Sequence, residues 1–179
     1  MIKFRAVERE DLRQLCDWRN DPDLMKVTRE YRRLNMLNQE EWLKQISLTK
    51  PPEDIMFCIE VALPTGNCLI GVCGLTYINW KERHAEVSIY IGDKDMRGKG
   101  YASESIAYLL DYGFRTLGLN RIYAIIYEYN QGSQKLFESR GFKYEGRHRG
   151  AHYYDGLFWD EFVYGILRDE YDTIIQTKH

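Results

Sequence analysis

Apolar and polar positions alternate at the start of the chain and then change to a helical spacing. Residues 1–7 alternate apolar with polar side chains, which predicts a half-buried strand. Residues 8–19 carry apolar side chains at helical spacing, and Pro22 cannot continue that helix, so we expect it to end just before this proline. A second helix is predicted to begin after Asn38 as its N-cap, with Glu41 at the capping-box position.

Strand patterns then alternate with helix patterns to the end of the chain. The predicted strands are residues 55–62, 68–78, 85–91, 121–127, 142–145 and 157–167. Helices are predicted over residues 101–117 and 131–139, and Gly141 closes the second of them. Residues 64–67 (Pro-Thr-Gly-Asn) are predicted to form a hairpin loop. This order of elements predicts an α+β fold, in which a mixed sheet carries helices on its faces.

The composition narrows the class of protein. At 179 residues, one domain over residues 1–179 is expected. The 25 Lys and Arg residues are balanced by 27 Asp and Glu, so the chain lacks the basic excess that nucleic-acid binding needs. No apolar run approaches the roughly 20 residues that span a bilayer, and the first residues lack the apolar core of a secretory signal. We therefore expect a cytoplasmic protein with neither a nucleic-acid nor a membrane partner.

The cysteines and histidines do not predict a metal site. The four cysteines form no Cys-x-x-Cys pair and lie among apolar residues, so we expect them to fill the core. His148 and His152 have the spacing of helical metal ligands, but Gly146 and Gly150 would break a helix there. No metal is expected.

Candidate chemistry lies where the predicted strand 85–91 runs into a glycine-rich loop and then a helix. Gly98 and Gly100 have no Cβ, so an anion could approach the backbone closely, and the helix N-terminus offers unpaired N–H groups. Arg97 and Lys99 add cationic donors, so the segment predicts a pyrophosphate-binding loop. An ordinary left-handed turn is the alternative.

Two common phosphate-binding motifs do not fit this loop. A dinucleotide fingerprint needs a third glycine where this chain has Ser103. A P-loop needs Ser or Thr after Gly-Lys, but Gly100 follows Lys99.

The loop sequence Arg-Gly-Lys-Gly-Tyr-Ala at residues 97–102 resembles the Gln/Arg-x-x-Gly-x-Gly/Ala signature of the GNAT superfamily of acyl-CoA N-acyltransferases. Residues 83–91 and 119–124 are similar to the fourth and fifth strands of that family. Residues 130–142 are similar to its Asn-x-x-Ser/Ala-x-x-Leu-Tyr-x-x-x-Gly-Phe block. The likeness is closest to the branch of ribosomal-protein N-terminal, spermidine and nucleotide-amino-sugar acetyltransferases.

The resemblance implies a mostly antiparallel sheet of about seven strands with helices on both faces, in which the fourth and fifth strands splay apart. It implies acetyl-CoA as cosubstrate, bound without a metal. Dimers are common in this family, so the resemblance leaves a homodimer open.

The resemblance also implies roles for particular residues in cofactor binding. The backbone of the loop would hold the CoA pyrophosphate, and Ile89 and Ile91 would pair with the pantetheine amides. Asn130 matches the family residue that reaches the cofactor arm, although it can equally be the N-cap of its helix. The loop residues concerned are Arg97, Gly98, Lys99, Gly100, Tyr101 and Ala102.

Catalysis requires a proton acceptor, because an alkyl ammonium has a pKa near roughly 10.4 and must become neutral to attack a thioester. Glu86 matches an acidic residue that many family members carry on the fourth strand, so it is the candidate base. The alternative is a solvated carboxylate at a strand edge. The family's usual Tyr, which protonates the departing thiolate, is replaced by Phe137, so Ser133 is the first substitute. Tyr153 or Tyr154, or no acid at all, are the other options.

The acceptor is expected to contact regions outside the cofactor motifs. Residues 29–33 are basic and would suit an anionic acceptor such as an amino-sugar nucleotide, unless they form a solvated loop. A polyamine would instead need acidic walls, and a protein N-terminus leaves no readable signature. The candidate acceptor residues are Trp18, Arg19, Glu30, Tyr31 and Tyr154.

Three functions are therefore compared. An acetyl-CoA-dependent N-acetyltransferase acting on a primary amine is the main prediction. A non-catalytic acyl-CoA-binding module is the alternative, and Phe137 favours it. A nucleotide-binding protein, recognised by affinity for ATP but not CoA, is the third.

Overall fold

The computed structural model describes residues 2–64 and 66–177. Met1 of the first predicted strand and Thr65 of the predicted hairpin loop lie outside the described residues. The strands are β1 (Ile2–Ala6), β2 (Ile55–Leu63), β3 (Gly66–Asn79), β4 (His84–Ile91), β5 (Arg121–Tyr127), β6 (Lys143–Tyr154) and β7 (Leu157–Leu167). The α-helices are α1 (Leu12–Arg19), α2 (Pro22–Met25), α3 (Met36–Leu48), α4 (Tyr101–Asp111), α5 (Gln131–Ser139) and α6 (Arg168–Gln176).

The seven strands form one sheet in the order β1-β2-β3-β4-β5-β7-β6. The pairs β1–β2, β2–β3, β5–β7 and β6–β7 are antiparallel, whereas β4 and β5 are parallel. The parallel ladder runs from the pair His84–Arg121 to the pair Glu86–Tyr123, at the beginning of both strands. A ladder at this position agrees with the expected splay, and the predicted α+β class with its mostly antiparallel sheet is confirmed.

The chain divides into two compact units. The first contains β1, β2, β3 as far as Thr76, α1 to α3 and the stretch Ser88–Ser105, and the second contains Tyr77–Val87 and the chain from Ile106 onward. Strand β4 therefore contributes its first half to the second unit and its second half to the first. One domain over residues 1–179 stays a prediction.

The first unit is built on an apolar core between α1 and the strands. The core cluster consists of Val7, Leu12, Leu15, Cys58 and Val72, each at most 8% exposed. All four cysteines are free thiols; Cys16, Cys58 and Cys73 are buried and fill space as predicted, whereas Cys68 is half-buried.

A buried charge network joins β1 to the turn before α1. Arg5 donates to Asp11 from both terminal nitrogens, at 2.7 and 2.8 Å, and to Glu60 from Nε, at 2.6 Å. The Cys58 thiol donates to Asp11 at 3.4 Å, and the Glu8 amide donates at 2.8 Å, which fixes the start of the turn. Burial would raise the pKa of Asp11, but the hydrogen bonds from Arg5 and Glu8 outweigh it, so this pKa lies below its usual value of 3.8.

The second unit has a core in which the last helix takes part. Phe114 and Ile122 are fully buried, and the Phe114 ring lies 5.1 Å from that of Tyr171 on α6. The Tyr171 hydroxyl donates a hydrogen bond to Asp111 at 3.2 Å, which connects α6 to the last residue of α4.

Several predicted boundaries are wrong. The N-cap of α3 is Asn35 rather than Asn38, because the two asparagine side chains bond reciprocally to each other's backbone amides at 3.1 and 3.0 Å. The first helix ends at Arg19, before Pro22 as predicted, but Pro22 then begins a further short helix, α2, as its first residue, since its fixed φ suits a helix start. Strand β6 extends to Tyr154, well beyond the predicted residues 142–145, and α6 was not predicted.

No helix among residues 2–64 and 66–177 has the length and apolar character needed to cross a membrane.

We expect Arg5→Met to lower the free energy of unfolding by about 2–4 kcal/mol at neutral pH, because Asp11 and Glu60 lose their cationic partner. The lowered pKa of Asp11 means that its stabilisation is complete above the usual value of 3.8 and is lost as pH falls through the lower folded value. Urea unfolding near neutral pH and near pH 2 measures both effects, and the cost of the substitution should shrink in acid (about pH 2).

The matched control is Lys44→Met, which breaks an exposed ion pair with Glu41 (3.7 Å) and should cost about 0.5 kcal/mol or less. An Arg5→Met cost that is equal at both pH values would contradict the role given to Asp11.

Candidate active site

The glycine loop, residues 92–100, connects β4 to α4 and is anchored to β3. The Gly92 amide donates to the Ile70 carbonyl at 2.9 Å, and the Asp93 amide donates to the same oxygen at 3.2 Å. Gly92 is buried, and a Cβ at this position would overlap the ring of Trp18. Hydrogen bonds to β3 therefore hold the first turn of the loop, and the Trp18 ring covers it.

The Arg97 side chain folds back onto the end of β4. Its Nε donates to the Ile91 carbonyl at 2.9 Å, and Nη2 donates to the Gly92 carbonyl at 3.2 Å. The guanidinium thus closes the loop on itself and brings its positive charge to the strand end. The backbone amides that follow Arg97 and the exposed side chain of Lys99 are then the groups of this loop that could hold an anion.

Gly98 and Gly100 give the loop its open shape. Their φ values of +73° and +88° lie in the left-handed region that favours glycine. A Cβ at either position would meet nothing within 4 Å, so the space above the loop is open. The first helical bond of α4 is donated by the Glu104 amide to the Gly100 carbonyl at 3.0 Å, so the amides of Tyr101 and Ala102 precede the first helical donor and have no acceptor within the helix. This arrangement fits a pyrophosphate.

Ile89 and Ile91 lie on the part of β4 that leads into the loop, and both are half-buried. The Ile91 carbonyl already accepts from Arg97, and a carbonyl has a second lone pair for a further donor. The predicted pairing of this strand with pantetheine amides stays a prediction.

Glu86 lies on β4 opposite Tyr123 and is only 6% exposed. Strand β4 sits between β3 and β5 in the sheet. The alternative of a solvated carboxylate at a strand edge is therefore wrong, and Glu86 is a buried acid in the second unit.

The N-terminus of α5 is capped by Asn130, whose Oδ1 accepts from the Ser133 amide at 3.2 Å. Its N-cap role is thus confirmed, and a role toward the cofactor arm stays a prediction. Ser133 is half-buried in the first turn. Phe137 is 4% exposed and packs edge-on to Phe142 at 4.9 Å, so it is a core residue as well as one that cannot donate a proton.

The candidate acceptor residues of the first unit have distinct surroundings. Trp18 covers the glycine loop, and Arg19 on the same helix is half-buried. Glu30 accepts from the amide and from Nε of Arg32, at 2.9 and 3.0 Å, and the hydrogen bond from the guanidinium lowers the pKa of Glu30. Tyr31 is 85% exposed.

Tyr154 belongs to an aromatic cluster that the sequence analysis did not identify. The cluster comprises Tyr127, Tyr129, His152, Tyr154 and Trp159. His152 stacks on Tyr127 with ring centroids 3.6 Å apart, and its Nε2 lies 2.9 Å from the Tyr129 hydroxyl. Burial lowers the pKa of His152, which favours the neutral imidazole near pH 7, and the tautomer of this ring sets which partner donates the hydrogen bond to the other. Aromatic rings two positions apart, Tyr127 with Tyr129 and His152 with Tyr154, are the signal that could have indicated it.

The structure therefore distributes the predicted residues over both units. The first unit brings Trp18 and the glycine loop together, and Ile89 and Ile91 lie on the strand that enters this loop. The second unit contains Glu86, Asn130, Ser133 and Tyr154. Among the described residues, no group of three or more His, Cys, Asp or Glu side chains could hold a metal ion.

Comparisons with known proteins give the family. Residues 2–143 match the sequence profile of the Acetyltransferase (GNAT) domain. The uncharacterized N-acetyltransferase p20 of Bacillus licheniformis is 31% identical over 95% of this chain and 94% of its own length. The spermidine N(1)-acetyltransferase of Vibrio cholerae is also 31% identical, over 95% of both chains.

Solved structures of the Vibrio cholerae enzyme have the same fold. Its complex with CoA and spermine gives a TM-score of 0.84 at 30% identity, covering 95% of this chain and 97% of that chain. A dodecameric structure of the same enzyme gives a TM-score of 0.80 at 29% identity, covering 95% of each chain. With the family profile matched over most of its length and the glycine loop shaped for a pyrophosphate, the chain belongs to the GNAT family and is an acetyl-CoA-dependent N-acetyltransferase.

Proposed function

We propose that the protein acetylates a primary amine of a polyamine. The observation that carries this proposal is the likeness to a spermidine acetyltransferase along 95% of both chains. The solved relative binds CoA and spermine, and it superimposes on this chain with a TM-score of 0.84.

The pairing of the basic segment argues against an anionic acceptor. Arg32 is bonded to Glu30 at 3.0 Å, and Arg33 donates to the Asn20 carbonyl at 2.5 Å. A sugar nucleotide would have to compete with these partners for the guanidinium groups. A polyamine needs no such cations, so the polyamine is the acceptor that we propose.

Glu86 is proposed as the proton acceptor of the reaction. The acceptor arrives as an ammonium and must lose a proton before its nitrogen can bond to the acetyl carbon. A carboxylate that is 6% exposed has a restricted environment, in which a proton can be received directly or through one water. Acetyl-CoA, when bound, supplies the activated acetyl group as a thioester.

The glycine loop is proposed to hold the pyrophosphate of the cosubstrate. The space beside Gly98 and Gly100 is open, the amides that follow lie at the start of α4, and Lys99 adds a positive charge. The dipole of α4 favours an anion at the same place.

Proton donation to the leaving thiolate is assigned to Ser133. Phe137 has no proton to give and is buried against Phe142. Ser133 lies in the first turn of α5, one helical turn before Phe137. Because a thiolate is a good leaving group, this step contributes less than the deprotonation of the amine.

A homo-oligomer is also proposed, since one structure of the Vibrio cholerae relative is dodecameric. Tyr153 and Phe158 at the end of the β6–β7 hairpin are 63% and 72% exposed and supply apolar surface for such contacts. Cytoplasmic localisation stays a prediction.

We expect spermidine or spermine to be acetylated with a kcat/KM at least about tenfold above that of an amino-sugar nucleotide or a peptide N-terminus. The measurement is CoA-thiol release with each acceptor at equal concentration. Preferred turnover of the sugar nucleotide would overturn the polyamine assignment. Acetyl-CoA binding without turnover on any amine would support the non-catalytic module instead.

Glu86→Gln should lower kcat roughly 100-fold near pH 7, because the site loses its proton acceptor while the shape of the side chain is kept. The rate of the variant should recover partly at alkaline pH, where more of the free amine is present. Stopped assays across pH with the preferred amine measure this, and an unchanged rate would remove Glu86 from the mechanism.

Gly100→Ala should raise the Kd for acetyl-CoA about tenfold, because Cβ strains a left-handed residue and projects into the open side of the loop. The matched control is Gly118→Ala, since Gly118 also has a left-handed φ (+68°) with open space around it but lies after α4. Both variants should lose about 1 kcal/mol of stability, whereas titration calorimetry should show weaker binding only for Gly100→Ala. Equal affinities for the two variants would argue against the loop as the pyrophosphate site.

A further inference from the structure

We infer that residues 18–21 (Trp-Arg-Asn-Asp) mechanically couple the glycine loop to residues 29–34, so that cofactor binding orders both. This inference concerns the cofactor side of the protein and does not depend on which amine is the acceptor. Residues 18–21 lie at the end of α1 and at the cap of α2. Two of these four side chains, Trp18 and Asp21, contact the glycine loop, and a third, Asn20, contacts residues 29–34.

The first contact joins Trp18 to the glycine loop. Because Gly92 has no Cβ, the indole lies directly on its backbone, where any side chain would overlap the ring. The Gly92 amide also donates a hydrogen bond to the Ile70 carbonyl on β3. Movement of the loop at this point therefore requires movement of Trp18.

The second contact joins Asn20 to residues 29–34. The Asn20 amide nitrogen donates to the Leu34 carbonyl at 2.8 Å, and the Leu34 amide donates to Asn20 Oδ1 at 2.7 Å. Arg33 adds a bond to the Asn20 carbonyl at 2.5 Å. The Asn20 side chain thus pairs with both backbone groups of Leu34, as a neighbouring strand would. Leu34 itself is 8% exposed.

The third contact joins Asp21 to the far side of the loop. Lys94 Nζ lies 2.8 Å from Asp21 and 3.0 Å from Asp23, and Asp21 also caps α2 by accepting from the Asp23 amide at 2.9 Å. Lys94 lies in the loop between Gly92 and Arg97, so the loop meets residues 18–21 at two points.

The base of this arrangement is rigid. Leu12 and Leu15 of α1 are fully buried, and Cys16 donates from its thiol to the Leu34 carbonyl at 3.4 Å. Because the end of α1 is fixed in this way, the positions of the glycine loop and of residues 29–34 against it are fixed as well. Trp18, Asn20 and Asp21 are therefore positioning residues, and the acceptor contact expected of Trp18 stays a prediction.

The consequence is a coupling between cofactor binding and residues 29–34. A loop held by a bound pyrophosphate fixes Trp18 and Lys94, and residues 29–34 are then fixed through Asn20.

Hydrogen exchange with CoA as the only ligand tests the coupling without any acceptor. In the wild-type protein, CoA should slow exchange of residues 92–102 about tenfold and of residues 29–34 about threefold. In Trp18→Leu/Lys94→Met, the slowing should remain at residues 92–102 and be lost at residues 29–34.

Matched variants separate coupling from damage to the fold. Lys94→Met alone should lose part of the effect on residues 29–34, and Lys94→Arg should restore it, since an arginine can pair with the same carboxylates. Lys44→Met removes an equally exposed charge and should behave as the wild type.

Unchanged slowing at residues 29–34 in the double variant, or none in the wild-type protein, would refute the coupling. If the double variant does not fold, the comparison of Lys94→Met with Lys94→Arg decides. A protein that prefers another acceptor would give the same exchange result, so the failure of the polyamine proposal is distinguishable from the failure of this one.

Discussion

The contact between Trp18 and the backbone of Gly92 is the constraint on which the first unit depends. An indole ring can lie on a peptide only where no Cβ intervenes, and Gly92 is buried at that point. The same peptide is bonded to β3, so the glycine loop leaves the sheet in a fixed direction. As a result, Gly98 and Gly100 lie at the solvent-exposed surface, and so does the N-terminal end of α4 that follows them.

Buried charge gives the first unit its second fixed point. Arg5, Asp11 and Glu60 would each be costly to bury alone, and their mutual hydrogen bonds make the turn before α1 dependent on β1 and β2. Trp18 lies on α1 and Asn20 caps its C-terminus, so the network that fixes the start of α1 also positions the residues around the glycine loop. The core of the unit and its candidate binding loop are thus parts of one mechanical arrangement.

The sequence predicted elements well where local signals and burial agree. Strand β5, helix α5 and strand β7 have the predicted bounds, because apolar alternation or helical spacing coincides with a cap or a turn. Strand β6 was underestimated, since its residues are nearly all exposed and its regularity comes from pairing with β7. Asn38 was mistaken for the N-cap because Asn35 and Asn38 have the same chemistry, and only the backbone decides between them.

The candidate site was predictable only in its local part. The loop glycines and the acidic residue of β4 can be identified along the chain, whereas the contact between Trp18 and Gly92 joins positions far apart in sequence. The stack of His152 on Tyr127 likewise depends on how two distant segments pair. Such contacts follow from tertiary packing, which no periodicity encodes.

Phe137 has a consequence for how this enzyme can change. The ring is 4% exposed and packs edge-on against Phe142, so a hydroxyl added to it would enter an apolar environment. An unpaired buried hydroxyl lowers the free energy of unfolding by about 1–3 kcal/mol, whether or not it delivers a proton. The packing that Phe137 provides therefore works against a proton donor at this position, and a donor to the thiolate must come from another side chain.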